Sequence, residues 1–122
     1  MFSIDTLDRE HVGGINLNSI DYKNGTFGVG LRIYRPYRNK GYGEDAFRIV
    51  LRYAFFERRL QKCNSGCVSI NEPSRKCHLK IGFREEGLLR RSAYTNGQYY
   101  DNLLLGLFKE EFEVNDRVYL EM

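Results

Sequence analysis

The six residues Arg38-Asn39-Lys40-Gly41-Tyr42-Gly43 connect a strand-like run to a helix-like run, and this junction decides the fold. Before it, residues from Thr26 to Tyr34 alternate apolar with small or polar side chains, which is the period of a half-buried strand. After it, apolar residues between Glu44 and Leu60 recur every three or four positions, with Arg48 and Arg52 among the polar positions of an amphipathic helix. The pattern predicts a strand, a glycine-containing turn and a helix in direct succession.

This turn has the chemistry of an anion site. Gly41 and Gly43 would lie at the amino end of the helix, where backbone N–H groups lack partners within the helix and the dipole is positive. Glycine lets the backbone approach a diphosphate closely, and Arg38 and Lys40 add positive charge. An ordinary solvated turn can contain the same two glycines, so the loop alone does not identify a ligand.

Three motifs follow one another along the chain. The first is Arg38-x-x-Gly41-x-Gly43, and the second is Asn71-Glu72-Pro73-Ser74, followed by a short helix-like run and then residues 81–87. The third is the stretch Thr-Asn-Gly-Gln-Tyr-Tyr-Asp at residues 95–101, followed by an apolar run. In this order the motifs resemble the GNAT N-acetyltransferases, in the branch of the ribosomal-protein-alanine and spermidine acetyltransferases. The resemblance covers residues 12–112.

The resemblance implies an α/β (α+β) GNAT fold, with a mixed, mostly antiparallel and twisted sheet, splayed parallel central strands and flanking helices. Sequence signals agree with this architecture. Residues 12–34 form a hairpin around Asn24-Gly25, and residues 83–108 form a second hairpin around Asn96-Gly97. Between the hairpins we predict a strand at Cys67–Ile70 and a helix at Ser74–Lys80. The helix after the loop connects the first hairpin to the strand at Cys67–Ile70. Such a crossover would set two strands parallel.

Composition favours one domain. With 122 residues and 42% hydrophobic content, the chain can bury one modest core. We expect residues 1–112 to form a single acetyl-CoA-binding domain and residues 113–122 to form a tail, with the chain frayed or irregular beyond Lys109. Relatives usually begin with a strand and two helices that shape the acceptor pocket, so the fold is expected to be N-terminally truncated, with one short strand within Met1–Asp8. The edge of the strand Val12–Ile20 would then suit pairing with a second copy in a homodimer.

Charge and cysteine content limit the partners. The formal net charge of +3, from 19 Lys+Arg and 16 Asp+Glu, suits an anionic cofactor but is too small to indicate a nucleic-acid partner. Three cysteines, an odd number, and the absence of an apolar signal segment favour a reducing cytoplasm over secretion, with no membrane partner. The cysteines lack a CxxC pair, so with His78 they do not indicate a metal site.

The resemblance also implies which residues bind acetyl-CoA. Backbone N–H groups from Leu31 to Ile33 would hold the acetyl carbonyl and the pantetheine arm, residues 38–43 would hold the diphosphate, and Asn71 would hydrogen-bond the arm. The predicted cofactor-binding residues are Leu31, Arg32, Ile33, Arg38, Asn39, Lys40, Gly41, Tyr42, Gly43, Asn71 and Ser74.

The family uses different residues as the acid that protonates the leaving thiolate. Spermidine-type members place a tyrosine seven positions after the asparagine and alanine-type members a serine three positions after it; here these positions are His78 and Ser74. Histidine titrates near neutrality and can donate a proton, but a helix histidine satisfied by partners is an equal alternative. For Ser74 the alternative is a helix N-cap. The general base stays open. The resemblance implies a carboxylate at the position where this chain has Gly28, and Glu86 is interpreted as a solvated charge.

These features predict an N-acetyltransferase that moves the acetyl group of acetyl-CoA to a primary amine by direct attack in a ternary complex. The acceptor would be a protein N-terminus or a small polyamine-like or aminoglycoside-like molecule. The alternative is a catalytically silent CoA-binding module that needs a partner chain to complete the acceptor site. A minor third alternative is a small RNA-binding domain, since Tyr34, Tyr37 and Tyr42 alternate with cationic residues.

Overall fold

The computed structural model describes residues 2–38 and 40–121. In chain order the described elements are β1 (Phe2–Asp5), β2 (His11–Asp21), β3 (Thr26–Ile33), α1 (Tyr42–Arg52), β4 (Lys62–Val68), α2 (Glu72–Ile81), β5 (Arg84–Thr95), β6 (Gln98–Phe108) and α3 (Lys109–Leu120). A short 3₁₀ turn, Arg35–Tyr37, precedes α1, and a π-helical segment, Tyr53–Glu57, follows it. The chain forms two compact units, Met1–Cys63 and Asn64–Met122, whose boundary lies within β4.

The first unit contains two antiparallel strand pairs and one parallel pair. β1 pairs with β2, and β2 pairs with β3 from Gly13 beside Ile33 to Asp21 beside Thr26. The first two residues of β3 run parallel to the first two of β4. A parallel pair needs a crossover connection, and α1 lies in that connection. The predicted first hairpin, the short strand before Asp8 and the crossover helix are therefore confirmed.

The core of the first unit lies between α1 and the strands. Ile15 of β2 packs with Ala46 and Val50 of α1, and the half-buried Leu31 of β3 packs against this cluster. Phe27 of β3 and the helical residue Phe55 are both buried and meet edge to face, with ring centroids 5.3 Å apart. Burying each such aromatic side chain stabilises a fold by about 1.5–3 kcal/mol. The core therefore fixes α1, and the loop that leads into it, on the strand pair.

The helix after the loop begins and ends at different residues from those predicted. It starts at Tyr42 rather than Glu44, so Gly43 lies inside its first turn, and its α-helical part ends at Arg52 rather than Leu60. The first turn carries no apolar residue with helical spacing, so periodicity does not reveal it. Beyond Arg52 the π-helical segment keeps Ala54 buried, so the apolar pattern continues although the backbone changes.

Arg48 departs from its predicted place on the polar face of α1. Its side chain is only 2% exposed, and its Nε donates to the Glu44 carboxylate at 3.0 Å. Glu44 lies one helical turn earlier and is itself largely buried. A buried guanidinium is tolerated when a carboxylate compensates its charge, and the four-residue spacing brings these two together.

The second unit contains the rest of β4 together with β6, β5, α2 and α3. β6 lies between β4 and β5, and it pairs with β5 antiparallel from Gly106 beside Arg84 to Gln98 beside Thr95. Asn96 and Gly97, which connect β5 to β6, both have positive φ, as the Asn-Gly signal predicts. The buried apolar side chains of this unit are Ile81, Phe83, Leu105, Leu107 and Phe112.

In this half of the chain two predicted boundaries and the predicted state of the tail are wrong. β4 spans Lys62–Val68 rather than Cys67–Ile70, because residues 64–66, Asn-Ser-Gly, have low strand propensity and are held in the strand by its neighbours. α2 begins at Glu72 rather than Ser74. The tail is neither frayed nor irregular, because α3 continues to Leu120 with Phe112 fully buried. The predicted boundary between residues 112 and 113 falls inside this helix, and the division into one domain and a tail stays a prediction.

None of the described helices is both long enough and apolar enough to cross a bilayer.

Candidate active site

The predicted diphosphate loop, residues 38–43, contains a left-handed residue. Gly41 has φ +84° and ψ −4° and stands directly before the first turn of α1. The first helical hydrogen bond runs from the Asp45 N–H to the Gly41 carbonyl at 3.1 Å, so the N–H groups of Tyr42 and Gly43 precede it at the amino end of the helix. A Cβ at Gly41 would meet no described atom within 4 Å. The loop therefore offers a partner open access to backbone N–H groups.

Arg38 is held beside this loop by the backbone of the preceding strand. Its Nε donates to the Ile33 carbonyl oxygen at 3.0 Å, and its side chain is exposed. That bond uses Nε, so the two terminal nitrogens of the guanidinium, which suit bidentate binding of phosphate, take no part in it. Lys40 is exposed beside Gly41. Asn39, the remaining residue of the predicted loop, lies outside the described residues.

Backbone direction distinguishes the strand residues predicted to hold the cofactor arm. Along a strand, the N–H and C=O groups of successive residues point to opposite edges. The Tyr34 N–H donates to the Val12 carbonyl in β2 at 2.8 Å, and a Cβ at Gly13 would collide with the Arg32 carbonyl oxygen. The backbone groups of Arg32 and Tyr34 therefore point toward β2.

By the same alternation, the backbone groups of Leu31 and Ile33 point away from β2. The Ile33 carbonyl, which accepts the bond from Arg38, agrees with this direction. A bound arm on that side of β3 would meet the N–H groups of Leu31 and Ile33. The geometry thus favours these two residues as donors over Arg32, whose N–H points toward the neighbouring strand.

Asn71 caps the amino end of α2. Its Oδ1 accepts a hydrogen bond from the Ser74 N–H at 3.2 Å. The alternative in which Ser74 is the N-cap is therefore wrong, because the helix begins two residues earlier and Ser74 lies in its first turn. The cap uses the oxygen of the Asn71 amide and so orients its nitrogen, which remains a donor for a ligand.

Asn71→Ser should separate the cap from ligand binding. Serine caps a helix about as well as asparagine, so the melting temperature should change little, whereas Asn71→Ala should cost about 1 kcal/mol of stability. Both variants lack the amide donor, and each should bind CoA about tenfold more weakly, which corresponds to one lost hydrogen bond. Calorimetric titration with CoA and thermal denaturation measure the two effects. Unchanged affinity in the serine variant would contradict the role of Asn71 in cofactor binding.

His78 is buried on the inner side of α2, with 5% of its surface exposed. Its Nδ1 lies 2.7 Å from the Ser74 carbonyl oxygen and its Nε2 lies 2.7 Å from the Ser65 Oγ. A carbonyl oxygen only accepts, so Nδ1 carries the ring proton, and Nε2 of the neutral ring accepts from the Ser65 hydroxyl. The ring also meets Phe83 edge to face, with centroids 4.9 Å apart.

This geometry makes His78 a hydrogen-bond acceptor toward Ser65. Burial lowers the pKa of His78, so the imidazole is neutral at pH 7 and its one N–H is donated to the backbone. The structure therefore favours the alternative of a helix histidine satisfied by partners over that of an acid in contact with the leaving thiolate.

Burial of His78 also predicts acid sensitivity. Because its pKa is lower in the folded than in the unfolded chain, the unfolded chain takes up the proton first. The stability linked to His78 is full above the ordinary histidine pKa of about 6.5 and is lost as pH falls toward the lowered folded value. We expect the melting temperature to fall less between about pH 8 and pH 5 in His78→Gln than in the wild type. Equal falls would contradict the assignment.

Ser74 remains the serine candidate for the leaving-group acid. It is half-buried, and its hydroxyl hydrogen-bonds the Cys67 side chain. Burial raises the pKa of the Cys67 thiol, and the bond from Ser74 opposes this rise in part. Ser74 and His78, one turn apart on α2, thus contact Cys67 and Ser65, two residues apart on β4.

Sequence reasoning missed Ser65. The residues around it, Asn64 and Gly66, have low strand propensity, so β4 was predicted to begin later. The alternation of Cys63, Ser65 and Cys67 on one face is the signal that could have revealed it.

The general base of the reaction stays unassigned. Gly28 in β3 provides no side chain. Glu85 is exposed and pairs with Arg75 at 2.8 Å, and the Glu86 carboxylate lies over Gly106.

The three cysteines are thiols in this structure. Cys63 is fully buried, and burial raises the pKa of its thiol well above the usual range. Within residues 2–38 and 40–121, no three side chains of His, Cys, Asp or Glu come together in a way that could hold a metal ion.

Sequence comparisons place the chain among acetyltransferases. The family profile described as "Acetyltransferase (GNAT) domain" matches residues 1–84, more than half of the chain. The SPbeta prophage-derived uncharacterized N-acetyltransferase YokL of Bacillus subtilis (strain 168) is 44% identical over 108 residues, which cover 88% of this chain and 61% of YokL. The spermidine N(1)-acetyltransferase of Escherichia coli (strain K12) is 26% identical over 105 residues, covering 86% of this chain and 56% of that enzyme. The chain thus spans little more than half the length of these relatives.

Solved structures show the same fold. A mutant form of the spermidine/spermine N-acetyltransferase SpeG from Vibrio cholerae matches with a TM-score of 0.85 at 20% identity, over 92% of this chain and 68% of SpeG. SpeG in complex with CoA and spermine matches with a TM-score of 0.84 at 21% identity, over 89% of this chain and 64% of that one. At this identity the likeness concerns the fold, and it confirms the predicted α/β class with its mixed sheet. With the profile match, these findings show that the chain belongs to the GNAT acetyltransferase family.

Proposed function

We propose that this protein transfers the acetyl group of acetyl-CoA to a primary amine by direct attack of the amine in a ternary complex. The observation that carries the proposal is the left-handed Gly41 at the amino end of α1, with Arg38 anchored to the Ile33 carbonyl beside it. Backbone N–H groups and a guanidinium together suit a diphosphate. The SpeG structure with CoA, although similar only at the level of the fold, is consistent with this assignment.

The chain's residues would contribute mainly by positioning. The N–H groups of Leu31 and Ile33 would hold the arm and stabilise the negative charge that develops on the thioester oxygen. As the amine nitrogen bonds to the carbonyl carbon, the carbon–sulfur bond breaks and the thiolate takes up a proton. We assign the proton that the thiolate takes up to the Ser74 hydroxyl rather than to His78, whose N–H is donated to the backbone. Water takes the proton that the amine nitrogen loses and returns one to Ser74. The Asn71 amide nitrogen would hydrogen-bond the arm.

The acceptor is proposed to be a small polyamine, an aminoglycoside-like amine or a protein N-terminus. Support for the first comes from a relative named spermidine N(1)-acetyltransferase and from the SpeG structure that contains spermine. A net charge of +3 does not itself attract a cationic acceptor, so recognition would depend on local groups.

The test is release of CoA thiol from acetyl-CoA in the presence of spermidine, spermine, kanamycin or a peptide that begins with alanine. At least one amine should raise thiol release above the hydrolysis rate without amine. Cofactor binding measured by calorimetry without such a rise would refute the proposed transfer and favour the alternative, a silent CoA-binding module that needs a partner chain. That alternative is motivated by Gly28, which provides no carboxylate, and by the satisfied His78.

We also propose a cytoplasmic location and a homodimer. The location rests on three cysteines that are all thiols. The dimer rests on the edge of β2. The described residues of β1 pair with this edge from His11 to Ile15, so it is only partly open, whereas the sequence predicted an open edge. The rest of that edge could pair with a second copy. Light scattering that gives the mass of one chain at high protein concentration would exclude the dimer.

A further inference from the structure

The Ser65–His78 pair takes no part in the proposed transfer, yet it has the chemistry of an activated serine. The Ser65 Oγ lies 2.7 Å from the His78 Nε2, and the Ser74 carbonyl fixes the proton on Nδ1 at 2.7 Å. A serine whose proton is accepted by a neutral imidazole, held in one tautomer by a third group, is how proteins make a hydroxyl nucleophilic. Ser65 itself is half-buried rather than fully buried.

A second Ser–His contact in the same chain shows why the first differs. The Ser3 Oγ lies 2.8 Å from the His11 Nδ1, but that nitrogen is also 3.0 Å from the Asp5 carboxylate. The carboxylate only accepts, so Nδ1 carries a proton, and the Ser3 hydroxyl donates to Asp5 at 2.9 Å. The bond from His11, followed by the one from Ser3, lowers the pKa of Asp5. Ser3 therefore touches an imidazole that cannot take its proton.

We propose that Ser65 is an acyl-acceptor site that takes an acetyl group from an activated ester or thioester. The His78 Nε2 accepts the Ser65 proton as Oγ bonds to the carbonyl carbon. The bond from that carbon to the leaving oxygen or sulfur then breaks, and His78 returns the proton to the leaving group. The products are O-acetylated Ser65 and a free alcohol or thiol, and no other reactant is needed.

The first experiment uses p-nitrophenyl acetate, which needs no cofactor site. The wild-type protein should gain one acetyl group on Ser65, located by peptide mass spectrometry after measurement of the intact mass. Ser65→Ala should lose this label and Ser3→Ala should keep it. His78→Gln should slow labelling of Ser65 by at least about 100-fold, the range of a general base. Circular dichroism of each variant checks that it is folded.

The wild-type map decides the proposal even if the His78 variant does not fold. If p-nitrophenyl acetate modifies lysines or Ser3 and leaves Ser65 unmodified, the proposal is wrong. Labelling of Ser65 at the wild-type rate in folded His78→Gln would also overturn it. A parallel incubation with acetyl-CoA tests the natural donor and rests on the proposed function. If Ser65 reacts with the ester but acetyl-CoA neither binds nor reacts, the proposed function fails and the acyl-acceptor site stands.

Discussion

Gly41→Glu should raise the dissociation constant for CoA by at least about 100-fold, or roughly 3 kcal/mol. Two effects add. A non-glycine residue at φ +84° is strained by about 1–3 kcal/mol, which favours a loop conformation different from the one described. The new carboxylate would also stand where the N–H groups and Arg38 favour an anion, and would repel the diphosphate. A side chain at this position meets open space, so the fold should persist.

Gly97→Glu is the matched control for this change. Gly97 has φ +77° in the turn between β5 and β6, and a Cβ there would also meet no described atom within 4 Å. It therefore receives the same strain and the same charge, and both variants should lose similar stability. Calorimetry should show normal CoA affinity for Gly97→Glu and weak or absent binding for Gly41→Glu. Equal affinities in the two variants would contradict binding of the diphosphate by the loop at residues 38–43. A third variant, Gly41→Ala, introduces the backbone strain without the charge and so separates the two effects.

Arg48→Ala should lower the free energy of unfolding by about 3–5 kcal/mol, far more than the loss of an exposed ion pair. The guanidinium is 2% exposed and donates to Glu44, whose side chain is 12% exposed. Removing the cation leaves a largely buried carboxylate without this compensation and opens a void beneath α1. Because the whole free energy of unfolding of a domain is about 5–15 kcal/mol, the variant should unfold at markedly lower denaturant concentration.

Arg75→Ala provides the comparison. Arg75 also pairs with a glutamate, Glu85, at 2.8 Å, but the two side chains are 37% and 43% exposed. Water and salt screen such a pair, and its loss should cost about 0–1 kcal/mol. Urea denaturation followed by circular dichroism gives both values. Similar losses for Arg48→Ala and Arg75→Ala would show that burial does not set the contribution of the Arg48 pair.

The features that the sequence predicted correctly are those encoded locally. Alternation along Thr26–Ile33, the Asn96-Gly97 turn and the glycine of the loop each constrain the backbone through their own residues, and each appears in the structure. Arg48 could not be placed from its own identity, because its burial depends on a carboxylate one turn away. The same holds for Ser65, whose strand is imposed by neighbouring chain rather than by propensity.

The candidate site shows the same limit. The position of Gly41 at the amino end of a helix follows from the sequence motif, and the structure confirms it. The sequence predicts Asn71 in a turn before a helix that starts at Ser74, and Asn71 instead caps a helix that starts at Glu72. The role of His78 does not follow from a motif, because burial lowers the pKa of the ring, a carbonyl of its own helix fixes the tautomer, and the remaining nitrogen faces a serine thirteen residues earlier. Sequence can name a titratable residue, but partners from other segments decide whether it gives or accepts a proton.

The bond that holds Arg38 ends on the main chain at Ile33. A carbonyl is present whatever side chain stands at position 33, so mutational drift there would leave the cation tethered as long as the strand persists. Position 38 lacks this freedom. A lysine there has a single charged nitrogen, and a bond from that nitrogen to the Ile33 carbonyl would leave no second nitrogen to donate to an anion, whereas the arginine fork keeps its two terminal nitrogens. The side chain at position 33 can therefore change without loss of the bond that holds Arg38, whereas position 38 is constrained by it.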